Sequence, residues 1–330
     1  MNSTASQTTK TLATGRLAPL MDFFRRFGPL RWSAYVVRYW SGQRAVIAIP
    51  YFWLTLFFLV PFLLVFKISF AEYATAQPPY TALIQEVEQG IYTIKLNLQN
   101  YLGLFNDDLY YTAYLYSLKV AAVSTFFCLL VGYPMAYAIS RSTPAQRNLF
   151  LMLVILPFWT SFLLRVYAWV GLLKTDGVIN NVAAWFGLGP YTMMYTSFAV
   201  YIGIVYSYLP FMILPLYSNL EKHDLTLIEA SQDLGAHPMK AFLTITLPLS
   251  MPGVIAGCLL VFIPAVGEYV IPSLLGSSDQ LMIGRVLTDE FFSNRDWPVA
   301  SAVAIVMLVL LLLPIIYFQR FQSKELEARK

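Results

Sequence analysis

The chain has 330 residues, of which 58% are hydrophobic and 12% charged, with a formal net charge of +4. A soluble domain carries about twice that charged fraction, so the composition excludes an ordinary soluble enzyme or binding module and indicates a chain that crosses a bilayer several times. The small positive balance does not point to nucleic acid, because it divides between two faces of a membrane.

In chain order, residues 1 to about 20 are polar and rich in Ser and Thr, which predicts disorder. They lack the apolar region of a cleaved secretory signal. Residues 21–44 carry Arg25, Arg26, Arg31, Arg38 and Arg44 among aromatic residues. Such a segment either lies along the membrane surface or anchors the first span. That span is Ala45 to Phe66, uncharged and longer than the roughly 20 residues a crossing needs. Lys67 to Ser117 reads as an external loop with some short helix. The second span is Leu118–Ile139, and Ser140–Asn148 makes a short basic turn. The third is Leu149 to about Leu173, interrupted late by Arg165. A loop at 174–197 leads to the fourth span, Phe198–Leu220. The fifth is Leu249 to about Gly267, residues 268–298 return to polar character, and the sixth is Val299–Phe318.

Six spans put both termini on one side. Segments 1–44, 140–148, 221–248 and 319–330 hold fifteen of the 22 basic residues and seven of the 18 acids, a net +8 against −4 elsewhere. Positive residues mark the cytoplasmic face, so both termini and the 221–248 loop are expected there, below a spanning domain of residues 45–318. Prolines recur within spans, at Pro50, Pro61, Pro134, Pro157, Pro210, Pro215, Pro252, Pro264 and Pro314. Each removes a helix hydrogen bond and permits a kink. Cys128 and Cys258 lie inside apolar runs and read as small packing residues. Neither they nor His223 and His237 form a metal-ligand pattern.

The most structured polar stretch is Glu221–Pro248. Asp224 suits a helix N-cap, and residues 225–234 contain no Gly or Pro. At helical spacing Leu227, Ile228, Ala230, Ser231 and Leu234 fall on one side, with Thr226, Glu229, Gln232 and Asp233 opposite. Gly235 stands where a left-handed cap belongs. Pro238 would open a second helix ending near Leu247-Pro248. By periodicity alone this is two short helices joined at a glycine turn, and an ordinary structured loop fits as well.

Glu229-Ala230-Ser231, Gly235 after three intervening residues, and Ile245-x-Leu247-Pro248 resemble the EAA loop of ABC-importer permeases, with Ser231 where that pattern has a second Ala. From about Arg44 to the tail the chain resembles the polyamine branch of this family, closest to putrescine-type subunits. The resemblance runs through PYFWLTLFFLVPFLLVFKIS, ILPFWTSFLLRVYAW, NLEKHDLTLIEASQDLGA, VFIPAVGEYVIPSLLG and NRDWPVASAVAI. It implies an all-α membrane protein with six transmembrane helices, the type I (MetI-like) importer permease fold and a cytoplasmic coupling helix. It implies a second permease, two cytoplasmic ATPase subunits and a periplasmic polyamine-binding protein as partners, in the inner membrane of a bacterium. Glu229, Ala230, Ser231, Asp233 and Gly235 would then couple the chain to an ATPase. The sequence has no GxxxxGK[ST] phosphate loop. ATP and Mg are therefore expected on the ATPase, with no cofactor in this chain.

Ionisable groups within spans are costly and usually functional. Glu268 could meet an amine, or could pair internally with Arg165 or Arg285. Tyr269, Trp159, Trp169, Tyr206 and Tyr208, with Tyr133 and Tyr137, could cradle an alkyl-ammonium on ring faces, or simply pack. Asp289, with Glu290 and Asp296, could receive cargo outside, be solvated surface or contact a partner. Two other classes compete. A secondary transporter would need intramembrane carboxylates, of which only Glu268 qualifies. A membrane enzyme would need a catalytic cluster of His, Asp or Glu, and the sequence offers none. A permease for another small organic ion is a closer alternative.

Overall fold

The computed structural model describes residues 43–88 and 91–328; the expectations for residues 1–42 lie outside it. The described chain is helical apart from one small hairpin, and it divides into two units at Val65/Phe66.

In the first unit, α1 (Gln43–Leu54) runs through a π-helical turn (Thr55–Leu59) into α2 (Val60–Ile68). Together they give a continuous apolar span, Val46–Ile68, with no charge before Lys67. The wide turn has a local cause. Val60 N–H donates to Thr55 O, five residues back, immediately before Pro61. Proline has no N–H to continue the ladder, and its ring crowds the carbonyl four residues back. A π-turn absorbs both defects.

The second unit opens with β1 (Ile84–Glu88) and β2 (Ile91–Ile94), an antiparallel pair in the segment expected to be loop and short helix. α3 (Gln99–Asn106) and α4 (Asp108–Arg141) follow. α4 begins ten residues before the expected second span, because Asp107 caps it by accepting from Leu109 N–H at 2.9 Å. The tyrosine run from Tyr110 to Tyr116 therefore lies on this helix, with Tyr110 and Tyr114 buried.

The third span departs most from expectation. α5 (Pro144–Ile155) passes through a 3-10 turn (Leu156–Trp159) before α6 (Phe162–Leu173) and α7 (Val178–Trp185), and the chain bends by 92° at the break. Pro157 sits within that turn, and Thr160 Oγ1 donates to Pro157 O at 2.8 Å, closing the end of α5. The other in-span prolines of the second unit lie within unbroken helices. These are α8 (Ser197–Leu220), α11 (Leu247–Val266) and α14 (Trp297–Ala328), besides α4. Among the described residues there are thus five helices long and apolar enough to cross a membrane, and the bent pair would make a sixth.

Between α11 and α14 the expected polar return contains α12 (Val270–Leu275) and α13 (Ile283–Phe292). α4, α8 and α11 pack mutually and form the centre of this unit. One core joins Leu173, Ile204, Ile271, Leu275 and Met282. A second joins Cys128, Met212, Ile213, Leu216 and Leu220. Cys128 is a packing residue, its Sγ 3.7 Å from Val205 O.

Candidate functional site: the docking helix and the bent span

α9 (Thr226–Asp233) is the first helix of the 221–248 loop. Asp224 accepts from Thr226 N–H at 3.0 Å, so the capping carboxylate is the one the sequence indicated. That bond, with one from the Thr226 hydroxyl, holds the Asp224 carboxyl below its ordinary pKa. The helix ends in a Schellman arrangement. Ala236 N–H donates to Ser231 O at 3.0 Å and Gly235 N–H to Gln232 O at 2.8 Å. Gly235 has φ +84°, a conformation that costs any residue with a Cβ.

The expected second helix does form but does not stop at Leu247-Pro248. α10 (Pro238–Ala241) passes through a π-turn (Phe242–Thr246) directly into α11. Leu247 N–H donates to Phe242 O just before Pro248, the same solution as at Pro61. α10 and the fifth span are therefore one helical rod, Pro238–Val266.

The apolar side of α9 is mostly uncovered. Only Ile228 and Ser231 are partly covered, and Ser231 Oγ donates to Ile228 O at 2.7 Å. Leu227, Ala230 and Leu234 on the apolar side stand in the open, as do Glu229 and Asp233. Leu234 is 89% exposed. An apolar stripe left uncovered marks an interaction surface.

The root of this element is tied to the preceding helices by residues that carry no motif. Arg147 Nη1 donates to Glu221 Oε1 at 2.6 Å, joining α5 to the end of α8. Arg141 stacks over the Tyr137 ring at 5.2 Å. His223 Nε2 lies 3.2 Å from Asn219 Oδ1. Burial, with Arg141 nearby, holds the His223 pKa below its ordinary value.

The residues considered for a cargo path fall into two groups. At the bend, Trp169 and Tyr206 meet edge to face at 5.6 Å. Both line an apolar cavity of about 680 Å³ with Phe127, Val131 and Tyr201. They also line a smaller one of about 340 Å³ with Thr160 and Arg165. Trp159, next to Thr160 in sequence, is 83% exposed.

The second group is elsewhere. Glu268 is buried at 7% exposure and lines none of these cavities. It pairs with neither Arg165 nor Arg285. Its Oε1 accepts from Val270 N–H at 3.0 Å and Ile271 N–H at 3.3 Å, and its Oε2 accepts from the Tyr208 hydroxyl. Glu268 thus caps α12 and ties it to α8. Gly284 holds the same corner, because a Cβ there would lie 2.4 Å from Gly267 O. Tyr269 is partly exposed beside this cap. Tyr208 joins the two groups through Phe211 at 6.1 Å and Phe158 at 5.1 Å, and Arg165 sits 5.5 Å from the Phe158 ring.

Asp289 is partly exposed on the outer side of half-buried α13, 3.9 Å from Arg285 Nε. Glu290 accepts from the Tyr110 hydroxyl at 2.9 Å, and Asp296 caps α14 through Val299 N–H at 3.0 Å. Burial raises the Asp296 pKa. Among the described residues no three His, Cys, Asp or Glu side chains gather as a metal site.

Comparison with known proteins agrees with this architecture. The spermidine/putrescine transport system permease protein PotB of Haemophilus influenzae is 41% identical over 280 residues, 84% of this chain and 93% of that protein. PotB of Escherichia coli is 38% identical over 83% of this chain and 97% of its own length. A chain from the crystal structure of a bacterial ABC transporter that imports the acidic polysaccharide alginate superposes with a TM-score of 0.65 at 16% identity. It covers 90% of this chain and 99% of its own, a likeness of fold. Residues 43–325 match the binding-protein-dependent transport system inner membrane component family, and with relatives this similar over nearly their whole length, the chain belongs to that family of inner-membrane permeases.

Proposed function

We propose that this chain is a permease subunit of an ATP-driven importer for polyamines of the spermidine or putrescine kind. It lines the route across the membrane and transmits a stroke generated elsewhere. The observation that carries this is α9: a capped helix with the EAA spacing, set between two spans, whose Leu227 and Leu234 are left uncovered. The cargo class is supported by the spermidine/putrescine permeases it resembles over most of their length.

The partners are a second permease, two cytoplasmic ATPases that hold ATP and Mg, and a periplasmic binding protein. The excess of Lys and Arg supports a cytoplasmic position for residues 1–44, the 221–248 loop and residues 319–330. ATP-driven closure of the ATPases displaces α9, with Glu229, Ala230, Ser231 and Asp233 against the motor. The Gly235 turn passes the displacement to the rod Pro238–Val266. The Arg147–Glu221 bridge passes it to α5. The bent third span, with Trp159, Tyr206 and neighbouring rings, borders the path. Glu268, Tyr208 and Tyr269 hold the corner behind it, and Asp289 faces outward.

Gly235→Asp and Glu229→Lys test the reading in the assembled importer. Both should abolish uptake and stimulated ATP hydrolysis while the chain still inserts at normal levels. Normal uptake by both would remove the docking role. Uptake of another small organic ion, with no polyamine uptake by the wild type, would remove the cargo assignment alone.

A further inference from the structure

Arg165 lies one turn into α6, just past the bend of the third span. Its guanidinium sits 5.5 and 5.7 Å from the Phe158 and Phe162 ring centroids. Nε and Nη1 are shut off from solvent without a hydrogen-bond partner. No carboxylate among the described residues answers it. The ion pairs there are Lys95–Glu72, Arg147–Glu221 and Arg285–Asp289. Glu268, the acid that could have reached it, is committed to Tyr208 and α12. Arg165 borders the 340 Å³ cavity with Thr160, Leu164 and Ala168, all exposed, Leu164 at 68%.

A cation in a membrane-crossing segment is expensive unless paired, and ring faces offset only part of that cost. A face turned to lipid would carry the same apolar side chains without the arginine. Trp169 and Tyr206 line the same cavity, so an unanswered guanidinium there would repel a polyammonium cargo passing those rings, and the carboxylate that answers it must come from outside the described chain. We propose that this face of α6 is a seat for the second permease subunit, which sets a carboxylate against the Arg165 guanidinium. The inference rests on the two-permease reading above and adds the group that fixes the register of the pair.

The test uses the full importer in membranes, with this chain tagged and its membrane level used to normalise recovery of the second permease. Arg165→Met and Arg165→Glu should each recover at least about tenfold less of it, the usual scale for an orphaned interfacial charge. Arg165→Lys should retain most. Each Asp and Glu of the second permease is then changed singly to Lys, and one such change should restore assembly and uptake with Arg165→Glu. Wild-type assembly by Arg165→Glu would overturn the proposal, as would failure of every reversal to rescue it. Absence of the second permease from the wild-type complex would sink the two-permease reading itself.

Discussion

Arg147 and Glu221 close a 2.6 Å ion pair between the start of α5 and the root of the docking loop. The two side chains keep 26% and 39% of their surface, so solvent screens the pair and its contribution to stability is about 0–1 kcal/mol. Its consequence is mechanical. Arg147→Met and Glu221→Gln should leave thermal stability almost unchanged and lower substrate moved per ATP hydrolysed severalfold. The exchanged pair Arg147→Glu with Glu221→Arg should recover part of the coupling. Simultaneous measurement of uptake and hydrolysis in proteoliposomes checks this.

At Gly235 the constraint is backbone conformation alone. Its φ is +84° and an added Cβ would meet nothing within 4 Å. Gly235→Ala should therefore cost the turn about 1–2 kcal/mol. Gly235→Asn should cost less, because Asn tolerates the left-handed region. Amide exchange of residues 226–240 should rise in the order Gly, Asn, Ala. Equal exchange in all three would show that the turn is not held by this residue.

The cap at Glu268 separates a structural carboxylate from a cargo ligand. Glu268→Ala leaves the Val270 and Ile271 amides buried without acceptors, at about 1–3 kcal/mol for an unsatisfied group. Glu268→Gln keeps one oxygen for those amides and an amide donor for a reoriented Tyr208 hydroxyl. Gln should thus hold the melting temperature within a few degrees of wild type, Ala should lower it clearly, and the KM for diamines should follow neither. A large rise in KM with Gln at unchanged stability would return Glu268 to the cargo path.

His223 predicts a pH dependence. Its pKa is held below the ordinary value by burial, so the folded loop keeps it neutral while the opened loop binds a proton. The stabilising contribution is complete above the unfolded pKa of about 6.5 and is lost as pH falls toward the lower folded value. Local opening of residues 219–226 should become easier between about pH 7 and pH 5. In His223→Asn, which retains a polar group near Asn219, that pH dependence should flatten.

Much of this was legible beforehand, because it depends on local chemistry. Asp224 and Gly235 act where their side chain, or the lack of one, dictates. Spans one, two, four, five and six follow from runs of apolar residues. The bend in the third span is not legible because hydropathy averages over Pro157: the composition is continuous where the backbone is not. The hairpin at 84–94 is not legible either, since strands of five and four residues are too short to show a period.

Length, hydropathy and capping residues thus determined which segments are apolar enough to cross the membrane, which face is basic and where α9 starts and stops, since each depends on neighbours close along the chain. Only the tertiary structure decided that Glu268 answers Tyr208 and two amides, that Arg147 reaches Glu221, and that Arg165 has no counter-charge among the described residues. Those outcomes turn on which way a side chain faces around its helix and what stands opposite, and that is set by packing between segments distant in sequence.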